Sequence, residues 1–141
     1  MMPGSDSSNG WCSLRMRFDA RQLELLRCAE TLRGAAYAQT TGPAMLRTAL
    51  NLARAGRKLA GTVAGGSVNL EEAELKLLVD ALRFSSREIQ AASRAPASAR
   101  VQAEAVLAAF PELEQQGLWR SFGVVRELDA LAVHLETALK G

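Results

Sequence analysis

Aromatic residues make up only 5% of this 141-residue chain, and it holds one histidine, two cysteines and four prolines. So few aromatics point to a core of aliphatic side chains. Cys12 and Cys28 cannot build a disulfide framework and lack CxxC spacing, which excludes a disulfide-stapled fold and a structural zinc site. His134 sits in Leu-Ala-Val-His-Leu-Glu-Thr, with neither HExxH nor ExxH around it, so the zincin and di-iron bundle motifs are missing. No G-x-S-x-G, P-loop or GxGxxG is present, and Gly65-Gly66 has no phosphate-binding lysine beside it. The most apolar long stretch, 43–63, is interrupted by Arg47, Arg54, Arg57 and Lys58, which excludes a transmembrane helix there. The opening MMPGSDSSNG has no basic region followed by an apolar run, so the expected location is cytoplasmic. From these absences we expect no catalytic site, metal, cofactor or membrane association.

What is present is ordinary globular composition: 48% hydrophobic, 23% charged, net charge +2. A chain of this length can bury roughly two-thirds of its unfolded surface in one domain. Residues 1–13 are small and polar with the turn pair Asn9-Gly10 and read as a disordered tail, leaving 14–141 as the folded domain. Cys12, Leu14, Met16 and Phe18 alternate with Ser13, Arg15 and Arg17, a strand-like period of two. No partner strand is legible, so this segment is expected to be an extended lead-in packed on helices.

Asp19 is suited to cap a first helix that reaches about Gln39, with Leu25, Ala29, Leu32 and Ala36 on one stripe. Thr40-Thr41-Gly42-Pro43 stops it and starts a second, which ends near Gly65-Gly66. A third opens with Asn69 as cap and Glu72 at capping-box spacing and runs to about Ser93. Pro96 and Ser98 introduce a shorter helix to about Ala109; Pro111 breaks it before a single turn closed by Gly117. The last helix spans Leu118 to about Lys140, where Val124, Leu128, Leu131, Leu135 and Ala138 repeat at four, three, four and three. The expected fold is therefore an all-α, single-domain bundle of four long helices plus a shorter one in fourth position. Leu23, Leu25, Leu26 and Ala29 recur 52 residues later as Leu75, Leu77, Leu78 and Ala81, which fits two stacked helical hairpins and equally a chance recurrence.

Three features outside the regular stripes concern chemistry. His134 lies at the edge of a polar face and reads as a solvated surface histidine. Cys28 lies at the margin of an apolar stripe, where a thiol acts as a small hydrophobe. Glu74 and Glu88 fall among Leu77, Leu78, Ala81 and Phe84 on the apolar arc of the third helix, so each needs a partner. They read as edge residues whose stems reach water or an arginine, with a paired or proton-linked site as the alternative.

Charge is unevenly distributed. Residues 1–66 carry nine basic and four acidic side chains, a net +5; residues 67–141 carry eight and eleven, a net −3. No acidic residue occurs from Thr31 to Leu70, while Arg33, Arg47, Arg54, Arg57 and Lys58 do. Arg47, Asn51, Arg54 and Lys58, joined by Arg57, form a line along the second helix. The opposite side carries Ala49, Ala53, Gly56 and Ala60 flanked by Met45, Leu52, Leu59 and Val63, so the basic stripe is expected to face outward. It reads first as a solvated face answered by water and the acidic first turn of the third helix at Glu71, Glu72 and Glu74, with an acidic protein surface or a phosphate backbone as the alternatives. A second candidate surface combines Trp119 and Phe122 with the Leu128, Leu131, Leu135 seam. The function expected is non-enzymatic: a small regulatory or adaptor protein acting on a protein partner, with homodimerisation through the last helix as one route. The alternative is nucleic-acid binding by the basic face of the second helix, although no aromatics interleave there to stack bases.

Overall fold

The computed structural model describes residues 13–40, 42–94, 100–116 and 121–141. In chain order the elements are β1 (Ser13–Arg17), α1 (Ala20–Ala38), α2 (Pro43–Ala60), β2 (Ser67–Glu71), α3 (Glu72–Arg94), α4 (Arg100–Ala109), α5 (Glu112–Gln116) and α6 (Phe122–Lys140). The helical bundle stands, with a two-stranded antiparallel sheet added to it.

That sheet is the main departure from the sequence expectation. The segment 13–17 is a strand, paired with β2 in the register Leu14↔Leu70, Arg15↔Asn69 and Met16↔Val68. Met16, Val68 and Leu70 turn inward while Ser13, Arg15, Arg17, Ser67 and Asn69 stay exposed, the alternation of a sheet with one buried face. Asn69 is consequently a strand residue and not the cap of α3, which begins at Glu72. The expected tail boundary also moves: Ser13 already belongs to β1, and residues 1–12 lie outside the described part of the chain. Helix α2 stops at Ala60, earlier than the glycine pair, and the chain turns into β2 through Gly65 at φ 79°, a left-handed conformation that favours glycine. Gly65 N–H donates to the Phe18 carbonyl at 2.8 Å, tying this turn to the end of β1.

Local chemistry sets the helix starts. Asp19 Oδ1 accepts from Gln22 N–H at 2.7 Å while Gln22 Oε1 accepts from Asp19 N–H at 3.0 Å, a complete capping box. At the start of α3, Glu74 Oε1 accepts from Glu71 N–H at 2.8 Å, the same reach-back from the third helical position. Glu71 and Glu74 stand 52 residues after Asp19 and Gln22, the offset of the leucine echo. Met16 and Phe18 match Val68 and Leu70 at that offset, and all four are buried, as are Leu23/Leu75, Leu26/Leu78 and Ala29/Ala81. The echo is thus a strand-cap-helix unit used twice.

Helix α3 is the hub. It packs on α6, α1, α4 and α2, while α2 leans mainly on α1. Pro111 separates α4 from α5, and Phe110 and Leu113 on either side of it are buried. The α6 seam of Leu128, Leu131 and Leu135 is buried at 0, 4 and 0% exposure in the joint with α3. This corrects its reading as a partner surface: the stripe is spent on the chain's own core. Phe122, at 69% exposure, does not join that core, and Trp119 lies outside the described residues.

Candidate functional site

Five cations occupy the acid-free stretch, and the structure divides them into two groups. Arg33 Nε donates to Asp80 Oδ2 of α3 at 2.8 Å, and its guanidinium lies 4.3 Å from the ring centres of both Tyr37 and Phe84. Lys58 Nζ donates to Glu74 Oε1 at 2.6 Å and to the Asn69 carbonyl at 3.2 Å. Both therefore tie the first half of the chain to α3. The expected stripe loses Lys58 for this reason: a buried carboxylate lies within reach and pulls the ammonium off the outward face. Glu74 is 2% exposed, so it is a paired interior carboxylate and not the edge residue expected; Glu88 is half-buried.

Arg47, Arg54 and Arg57 are exposed and have no ion-pair partner among the described residues; Asn51 is half-buried. The buried side of α2 is formed by Leu52, Ala55, Gly56 and Leu59. Of the side expected to be covered, Met45, Ala60 and Val63 are exposed, and Ala49 and Ala53 are half-buried. Full burial begins only at Leu52; before it Ala49 alone packs on the core, half-buried. Leu46 and Leu50 there are 61 and 59% exposed.

Leu46, Leu50, Ala53 and Arg57 follow at spacings of four, three and four and form one ridge, with Arg54 and Arg47 along its flank. Sequence reading missed the two leucines because it treated the basic arc as purely polar. The signal was present: at about 100° per residue both fall on the same side of α2 as Arg54 and Arg57. The tip of the α1–α2 hairpin adds exposed Ala35 and Ala38, so this end of the molecule is apolar and cationic.

The remaining polar clusters join helices. Arg21 reaches Glu24 at 2.7 Å, Glu112 at 2.6 Å and Glu127 at 2.7 Å, linking α1 to α5 and α6. Its guanidinium is held charged chiefly by Glu127 and Glu112, and Glu127 in turn is kept below the usual carboxylate range by Arg21. Arg83 binds Glu136 at 2.7 Å and approaches Asp129 at 3.7 Å across the α3–α6 joint. An open cleft of about 850 Å³ lies between α1, the α2–β2 connection and the α4–α5 junction, with Cys28, Arg27, Thr31 and Thr62 on its walls. Burial, reinforced by Glu24, pushes the Cys28 thiol up, which keeps it protonated at neutral pH and disfavours nucleophilic use. His134 is exposed on α6. Among the described residues no group of three or more His, Cys, Asp or Glu could hold a metal ion, and no helix is long and apolar enough to cross a membrane.

One carboxylate is held at a cost. Glu30 on α1 is half-buried against Gly56 of α2, where a Cβ would collide with its carboxyl group, and burial raises its pKa. A carboxyl with a raised folded-state pKa favours the folded state fully below its unfolded value of about 4.3 and loses that advantage as pH rises through the folded value. Glu30→Gln is therefore expected to raise the thermal midpoint at pH 7, on the order of 2 °C. The gain should vanish near pH 4; paired melts at the two pH values check this.

Compared with family models, with curated proteins and with solved structures, the chain matches none of them. The functional reading therefore rests on geometry.

Proposed function

We propose that this protein is a non-enzymatic helical adaptor, working in the cytoplasm, whose binding surface for a protein partner is the outward ridge of α2. The observation that carries this reading is the pairing of two leucines about 60% exposed with three arginines on one helix face that have no ion-pair partner among the described residues. Apolar side chains of that size standing in water next to unneutralised cations make a compact patch suited to a partner that covers the leucines and answers the charge. The α6 seam takes no part, because α3 already covers it.

The arginines also support the second reading, contact with a nucleic-acid backbone. It is the weaker one, since Lys58 is withdrawn into an ion pair and Leu46 and Leu50 stand where phosphates would run.

Capture from native lysate with wild-type protein and with a Leu46→Glu, Leu50→Glu double variant tests the proposal. Both leucines are exposed, so the variant should keep its circular dichroism and melting curve while losing the protein that wild type retains. Equal capture by the two would overturn the assignment. Retardation of DNA or RNA at about 50 mM salt, lost by 200 mM and unaffected by the leucine changes, would favour nucleic acid instead.

A further inference from the structure

The reading of α2 as a protein-binding ridge fixes no partner chemistry; building on it, we infer that the occupant is an acidic amphipathic helix belonging to another protein. Three observations converge on this. First, the ridge from Leu46 to Arg57 is helical throughout, with apolar positions at 46, 50 and 53. At 1.5 Å per residue it is roughly 16 Å long, three turns, and its complement is a helix of similar length with apolar residues every three or four positions. Second, the charge on the ridge has one sign. Arg47, Arg54 and Arg57 are unpaired among the described residues; Asp80 and Glu74 are bound to Arg33 and Lys58, and Glu30, whose carboxyl lies against Gly56 on the buried side of α2, forms no ion pair among the described residues. A partner with Asp or Glu beside its apolar stripe supplies the missing counter-charge. Third, the same charge argues against a second copy. A two-fold pairing of α2 with α2 brings six arginines together with no acidic side chain in the stretch 31–70 of either copy to offset them. An anionic bilayer is the poorer match as well, because two leucines and an alanine are a narrow apolar strip beside the broad apolar face of an interfacial helix.

The other exposed apolar residues do not form a comparable surface. Met45, 38% exposed, lies about 100° round α2 from Leu46, off the ridge; Val63 lies in the α2–β2 connection, Phe122 is approached by its own Arg126, 5.7 Å from the ring centre, and Val133 stands further along α6. A three-turn contact with two leucine anchors belongs to the small, transient class of interface, for which a micromolar affinity is expected.

The probe is a synthetic, end-capped helical peptide of about 14 residues with leucines at i, i+4 and i+7 and glutamates flanking them, set against the same peptide with lysines in place of the glutamates. Fluorescence anisotropy with the full chain is expected to give a Kd on the order of 10 μM for the acidic peptide at about 50 mM salt, weakening several-fold at 200 mM. The lysine peptide should show no saturable binding, and Leu46→Glu/Leu50→Glu or Arg54→Glu should weaken the acidic peptide at least tenfold while folding is retained. Equal binding of both peptides, or none of the acidic one, overturns the inference. So does a wild-type dimer that the leucine changes dissolve in sedimentation, or preferential binding to phosphatidylserine vesicles. Failure here with the lysate partner still lost by the leucine variant sinks the acidic-helix assignment and leaves the α2 ridge standing; if lysate capture is also unchanged, the ridge itself is wrong.

Discussion

Leu128→Asp is expected to leave a chain with no cooperative unfolding transition. Leu128 has no exposed surface and sits in the seam where α6 meets α3, the most extensive helix joint in the molecule. Truncation to alanine there should cost about 3 kcal/mol, from lost burial plus the cavity left behind. Aspartate adds a carboxylate with Leu131 and Leu135 as its neighbours along the seam and no cation among them, for several further kcal/mol. A domain of this size holds about 5 to 15 kcal/mol in total, so the sum takes most or all of it. Phe122→Ala, on the same helix but 69% exposed, should stay within about 0.5 kcal/mol of wild type. Urea denaturation followed by circular dichroism separates the cases; a native-like transition for Leu128→Asp would show that the seam is not core.

The contrast between Leu128 and Phe122 also shows what a sequence can and cannot declare. Helical period, caps and breaks are local properties, so the starts at Asp19 and Pro43 and the break at Pro111 were legible from residues a few positions apart. The seam on α6 was equally legible as an apolar stripe, yet a stripe has the same spacing whether it faces its own α3 or another molecule. What distinguishes the two is a helix that begins 56 positions earlier, at Glu72. The sheet failed for a related reason. Val68 and Leu70 alone alternate too briefly to announce a strand, and Asn69 followed by Glu72 imitates a cap so well that the helix start was placed too early. Pairing with Leu14 and Met16 decides the matter, and pairing is non-local. The 52-residue echo held the missing information: if the segment before the second leucine cluster copies the segment before the first, a strand in one implies a strand in the other, and each is then the other's partner.

The division of the basic stretch into interior ties and outward cations was legible only in part: the acidic first turn of α3 was visible as a counter-charge, but which cation it takes depends on the carboxylates α3 turns toward α1 and α2. Arg33 and Lys58 were indistinguishable in sequence from Arg47 and Arg54. Once Asp80 and Glu74 are placed, the first pair is neutralised within the fold and the second has no ion-pair partner among the described residues. The stability of the bundle and the binding proposed for α2 therefore draw on different members of one charge run, so mutations can separate them.

Lys58 and Glu74 give the sharpest form of that separation. Glu74 is 2% exposed; its Oε1 accepts from Lys58 Nζ and from Glu71 N–H, and its Oε2 has no hydrogen-bond partner among the described residues. Removing the cation strands a charge in the interior, so Lys58→Met is expected to cost about 3 kcal/mol or more at pH 7. Glu74→Gln should be milder, about 1 to 2 kcal/mol. The amide oxygen can still accept from Glu71 N–H, as Gln22 does from Asp19 in the first copy of the unit, and the Lys58 side chain, 34% exposed, can turn to water. The double variant Lys58→Met/Glu74→Gln holds neither stranded charge nor stranded ammonium and should recover at least about 2 kcal/mol of the summed single losses. Denaturant midpoints for the four proteins close the cycle, and a Lys58→Met cost no larger than the roughly 0.5 kcal/mol of an ordinary surface change would mean that the ion pair does not form in solution. Anisotropy on the same variants should leave affinity for the acidic peptide within about twofold of wild type, a change below roughly 0.4 kcal/mol, because Lys58 points at α3 and the ridge of Leu46, Leu50 and Arg54 is untouched.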